Sequence, residues 1–142
     1  MLQRALFLLV VAVGAAPGED GTKVEYVGGT GVWKPGKDVR MSVADAERLR
    51  LETVTVAYSR INQIEYGQKV SRSVLPAVVI SPLFLLNKTR RHFLTVGYLD
   101  ERGAQQALVF RVPKGDIRAV LASLEARTGL RVTYLDDEAR KM

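Results

Sequence analysis

His92–Val112 reads HFLTVGYLDERGAQQALVFRV, and this stretch decides the fold. Residues 92–99 are apolar on both faces, the pattern of a strand at the centre of a sheet. Asp100–Gly103 (DERG) is a turn by composition, and alternation resumes over Ala107–Val112 with Leu108, Phe110 and Val112 on one face. Upstream the same period of two recurs. Val24 and Tyr26 share a face within Lys23–Val27, and Val39, Met41 and Val43 alternate with Arg40 and Ser42. Leu49 and Leu51 alternate with Arg48 and Arg50 after a turn around Asp45–Glu47. Thr53–Tyr58 is rich in β-branched residues, and Ile61–Tyr66 carries a further short strand. Gly28–Lys37 is a loop, with Trp33 folded onto the sheet or exposed at its rim.

Downstream, the period changes to that of a helix. Ile117, Val120, Leu121 and Leu124 fall at i, i+3, i+4 and i+7, Asp116 is placed as an N-cap and Gly129 as the glycine past the C-terminus. The apolar stripe of this helix, 116–128, needs a surface to cover. A curved sheet offers one, so the helix is expected to close the end of a small barrel. Val132–Leu135 adds a last short strand, and residues 136–142 are a charged, solvated tail.

About seven antiparallel strands followed by one C-terminal helix resemble the layout of pleckstrin-homology-like (PH-like) barrels. The segments KVEYVGGT (23–30), INQIEYGQKV (61–70), SPLFLLNKTRRHFLTVGY (81–98) and LEARTG (124–129) together resemble a group of small exported bacterial proteins of unknown function. That resemblance implies a mainly β, single PH-like domain over residues 23–135 with an apolar insertion before the penultimate main strand. It implies no catalytic residues.

The insertion is the run Val74–Leu86, VLPAVVISPLFLL, whose one polar residue is Ser81. Its 13 residues would span only ~20 Å as a helix against a hydrocarbon core of ~30 Å, and Pro76 and Pro82 interrupt it. The run is therefore buried as core, laid on a membrane surface or covered by a protein partner. Lys88, Arg90 and Arg91 follow it and suit lipid phosphates, while Leu75, Val79, Phe84, Leu85 and Leu86 are the side chains that would enter the acyl boundary. These eight residues are the candidate membrane- or partner-binding surface.

Met1–Ala15, MLQRALFLLVVAVGA, has one basic residue, an apolar centre and a small-residue end, and reads as a signal peptide cut after Ala15. Its apolar centre is short for a membrane span, which favours cleavage over anchoring. Residues 16–22 form a polar lead-in. Export to the periplasm or cell envelope follows, and it argues against nucleic acid as a partner. The formal charge of +6, or +5 without residues 1–15, permits attraction to an anionic membrane without requiring it. With no cysteine there is no disulfide, thiolate catalysis or thiolate metal site.

The remaining motifs carry no chemistry. GVWKPGK (31–37) matches part of a phosphate-binding loop, but Asp38 stands where Ser or Thr would hold magnesium, and a strand rather than a helix follows. His92 is the one histidine, so no multi-histidine metal site exists, and Arg90 and Arg91 beside it would depress its basicity. Asp136, Asp137 and Glu138 are the one dense acidic group, with Lys141 close by. Asn87-Lys88-Thr89 matches a glycosylation sequon of the kind common by chance. The sequence thus points to a non-enzymatic binding module without cofactor or metal, peripheral to a membrane or, alternatively, an assembly subunit covered by a protein partner. A pocket gathering His92 with a carboxylate and a hydroxyl would instead restore an enzymatic reading.

Overall fold

The strands Phe93–Leu99 and Gln105–Arg111 pair antiparallel in unbroken register, from Phe93 opposite Arg111 to Leu99 opposite Gln105. The turn between them is built by Asp100. Its carboxylate accepts the backbone N–H groups of Arg102 (2.8 Å) and Ala104 (2.9 Å), and its carbonyl accepts that of Gly103 (3.0 Å), which sits at φ 79°. This is the arrangement that aspartate and glycine favour in tight turns.

The computed structural model describes residues 21–68 and 92–141. In chain order the elements are β1 (Thr22–Gly29), β2 (Asp38–Ser42), β3 (Arg48–Leu51), β4 (Val54–Ala57), a 3-10 turn at Tyr58–Arg60, β5 (Ile61–Gly67), β6 (Phe93–Leu99), β7 (Gln105–Arg111), α1 (Ile117–Thr128), β8 (Thr133–Tyr134) and the single-turn α2 (Asp137–Arg140). All eight strands belong to one sheet, ordered β4-β3-β2-β1-β7-β6-β5-β8. The fold is mainly β, as the alternating sequence requires.

Two expectations change. Among the described residues the sheet has eight strands where about seven were expected, the eighth being the short strand read at Val132–Leu135, and it is mixed, because β8 pairs parallel to β5, with Glu65 opposite Thr133 and Tyr66 opposite Tyr134. The sheet also does not close into a barrel. β4 and β8 are its two ends, and the edge of β5 that a closing strand would use is taken by β8.

The core lies on one face of the curved sheet. Alternate residues from each main strand reach it: Val24 and Tyr26, Val39 and Met41, Leu49 and Leu51, Ile64 and Tyr66, Leu94 and Val96, Leu108 and Phe110. The α1 stripe of Ile117, Val120, Leu121 and Leu124 joins the same cluster, as its spacing predicts. Trp33 folds back on this core, edge-on to Tyr26 with ring centroids 5.4 Å apart. The N-terminus of α1 departs from expectation, since the Asp116 side chain makes no capping hydrogen bond. Backbone N–H groups of Asp116 and Ile117 bond instead to the Pro113 carbonyl at 2.9 and 3.1 Å. Gly129 ends the helix in the left-handed conformation, its N–H bonded to the Glu125 carbonyl.

Central strands are buried on their second face too. Val27, Phe93, Thr95, Ala107, Val109 and Glu65 are buried but alternate away from the core cluster. Glu65, Thr95 and Val109 lie side by side across β5, β6 and β7. The two-sided apolar pattern of 92–99 thus has a structural counterpart.

Candidate functional site at the root of the 68–92 connection

β5 and β6 are hairpin neighbours whose ends are a register pair, Gly67 opposite Phe93. Residues 68–92 therefore leave and return at one place on the sheet. Such a pair is usually joined by about two to five residues. The candidate surface of Leu75, Val79, Phe84, Leu85, Leu86, Lys88, Arg90 and Arg91 lies outside the described residues, as does the signal segment 1–15; what the fold positions is the root.

Two aromatic residues, one from each side, lock that root. Tyr66, the penultimate residue of β5, is wholly buried, and His92 directly precedes β6. The Tyr66 hydroxyl is hydrogen-bonded to His92 Nδ1, and the two rings lie almost parallel with centroids 5.8 Å apart. Tyr134 of β8 meets Tyr66 edge-on at 6.0 Å. The chain's end is tied into the same place: the Leu135 N–H donates to the Tyr66 carbonyl (2.9 Å), and Asp136 Oδ2 accepts the backbone N–H of Gln68 (2.8 Å). Gly67 is packed so closely that a Cβ there would lie 2.9 Å from Leu135 Cβ and 3.1 Å from Asp136 Oδ2. The reading of residues 136–142 as a solvated tail thus fails at its first residue, because the Asp136 carboxylate is used to satisfy a strand-end donor.

Electrostatics fix the protonation of the lock. Burial, and then the neighbouring Asp136 carboxylate, push the Tyr66 phenol up to about 12. Burial, with the Lys114 ammonium adding to it, holds His92 below its ordinary value. A protonated phenol beside a neutral imidazole donates to Nδ1 and leaves the ring proton on Nε2.

His92 is therefore gathered with a hydroxyl and, through Tyr66, with the carboxylate of Asp136, the combination that an enzymatic reading required. Its chemistry points elsewhere. A phenol held protonated is a poor base and nucleophile, it has no exposure to a substrate, and Asp136 is engaged by a backbone donor. The trio ties strand ends together. The sequence places Tyr66 on a strand and His92 and Asp136 in separate motifs, and their distance along the chain hides the contact. Other candidates resolve simply: Lys37 and Asp38 of the loop-like motif are occupied by ion pairs to Glu52 (3.4 Å) and Lys23 (3.1 Å). Among the described residues, no group of three histidine, aspartate or glutamate side chains is placed to hold a metal. No family model, curated protein or solved structure matches this chain.

Proposed function

We propose that the protein is an exported, non-enzymatic binding module of PH-like layout that works at an anionic membrane surface through the insertion. The observation that carries this reading is the register pair Gly67–Phe93 beneath the connection. Since a few residues would join those strands, the apolar run between them serves something other than connectivity. The order β4-β3-β2-β1-β7-β6-β5, antiparallel throughout and followed by a helix that packs into the core, supports the PH-like layout. In this reading Leu75, Val79, Phe84, Leu85 and Leu86 enter the acyl boundary while Lys88, Arg90 and Arg91 meet lipid phosphates. Each basic residue near such a surface contributes ~1 kcal/mol.

One observation favours a second reading. Val27, Phe93, Ala107 and Val109 make the outer face of the central strands apolar and buried, and a sheet buried on both faces needs a cover on each. In this alternative the run packs as core or is covered by a partner in an assembly.

Sedimentation with liposomes separates the two. Phe84→Asp with Leu85→Asp should abolish co-sedimentation with anionic vesicles and leave the melting temperature nearly unchanged, and wild-type binding should weaken with salt. Unchanged binding sinks the membrane reading, and collapse of the fold shows the run to be core.

A further inference from the structure

A second place in the molecule combines a cleft with an unsatisfied buried hydroxyl, and its case is independent of the membrane reading. Where the β2–β3 turn, the 3-10 turn and the C-terminal end of α1 meet, a cleft of about 490 Å³ is lined by Ala46, Glu47, Arg48, Tyr58, Ser59 and Arg127, among others. Tyr58 is 96% buried (4% exposed), and its hydroxyl has no hydrogen-bond partner. Buried hydroxyls in native proteins are almost always satisfied, so one left open beside a cleft points to a group that the cleft receives.

The charges around it are arranged for an anion. Among the described residues the Arg48 side chain makes no hydrogen bond and no ion pair within 4 Å, and its charge acts on the Asp45 carboxylate from farther away. Arg127 reaches two carbonyls among the described residues, Val43 O and Ala44 O, both at a long 3.3 Å. These hold its guanidinium over the cleft without neutralising it. Asp45 also acts here: its carboxylate accepts the backbone N–H groups of Glu47 (2.8 Å) and Arg48 (3.1 Å), lies 3.6 Å from Arg50, and interacts electrostatically with Arg48 and with the Tyr58 phenol. With Asp45 balanced by Arg50, Glu47 is the lining carboxylate against the guanidinium groups of Arg48 and Arg127. The adjoining cleft shares Arg48 and Ala57 and adds Arg60, Asp100 and Glu101, so its two arginines are matched by two carboxylates.

We propose that the Tyr58 cleft is an oxyanion site, where Arg48 and Arg127 clamp a carboxylate or phosphate group and the Tyr58 hydroxyl supplies a neutral hydrogen bond. Arginine suits this task because its planar fork matches both groups and its charge is permanent. Arg48 comes from β3 and Arg127 from α1, so a bound oxyanion would bridge sheet and helix and stabilise the folded chain.

The test is a thermal-melt titration of the full chain with inorganic phosphate and, separately, acetate, at constant ionic strength set by sodium chloride. A saturable rise in melting temperature with either probe is expected. A response to phosphate alone identifies a phosphorylated ligand class, and one to acetate alone a carboxylate class. Arg127→Gln or Arg48→Gln should weaken the dissociation constant roughly tenfold or more, as loss of a charge-assisted pair does. Tyr58→Phe removes an unsatisfied hydroxyl, so the free variant should be at least as stable as wild type while binding several-fold more weakly. That combination cannot arise from misfolding. Absence of a saturable shift with both probes, or an unchanged response in Arg127→Gln, overturns the proposal.

Discussion

Strand β6 is joined to its two neighbours in opposite ways. To β7 it is linked by the Asp100 turn, where one carboxylate and one left-handed glycine close the chain on itself. To β5 it is linked by residues 68–92, although the strand ends are paired just as directly. The difference teaches that end-to-end strand pairing does not require a tight turn, since β5 and β6 pair as far as Gly67 and Phe93 across residues 68–92. The root of that connection is fixed by separate means: the Tyr66–His92 contact, the Asp136 carboxylate on Gln68 and the close packing of Gly67 under Leu135.

The strongest way to break this comparison is to make the two connections alike. Replacing residues 69–91 by Asn-Gly, the dipeptide suited to a two-residue hairpin turn, should preserve a cooperative melt and β-rich circular dichroism. Liposome binding should vanish with it. If the shortened chain instead fails to fold, the insertion belongs to the core, and the buried outer face of Phe93, Ala107 and Val109 identifies where it was needed.

A smaller effect distinguishes the glycines at the two ends. Gly67→Ala places a methyl against Leu135, so β8 must shift from β5, with a cost of about 1–3 kcal/mol by overpacking. Gly103→Ala meets no atom within 4 Å and is opposed only by its positive φ, at about 1–2 kcal/mol. Denaturant melts of the two variants give the comparison directly. Hydrogen exchange at Leu135, whose N–H bonds to Tyr66, should quicken in the first variant and not in the second. Equal exchange in both would show that packing against β8 does not secure the root.

How much of this was legible beforehand follows the range of the interactions. Strand alternation and the α1 stripe are local, so Val39 and Met41, Leu49 and Leu51, and Ile117 to Leu124 all fall on the core side as their spacing requires. The Asp100 turn is equally local. By contrast, β8 is two residues long, and its parallel pairing with β5 depends on where α1 delivers the chain. That step is fixed by Glu125, whose carboxylate accepts the Val132 N–H at 3.0 Å, a contact no periodicity reveals. The same limit hides the Tyr66–His92–Asp136 root, assembled from three distant places. Tyr58 is hidden differently. Its strand-like neighbourhood predicts burial, but only coordinates show its hydroxyl without a partner beside two arginines.

The mildest prediction concerns pH, and it again separates the two ends of β6. Burial and the Lys114 ammonium lower the His92 pKa in the folded chain beneath the 6.5 of a free imidazole. The unfolded chain then binds more protons between those two values, so stability must rise with pH across that window and level off above it. Acidification from pH 7.5 to 5 should therefore lower the melting temperature and reduce the protection factors of the Gln68 and Leu135 amides, taken relative to intrinsic exchange at each pH. The Arg102 and Ala104 amides bonded to Asp100 should be unaffected, because backbone hydrogen bonds to that carboxylate hold its pKa below the ordinary value of 3.8, under the range tested. His92→Gln keeps a polar side chain at the root but does not titrate, and it should flatten the local response. A response at the root that survives in His92→Gln would mean that another group, and not the imidazole, sets the acid sensitivity of this site.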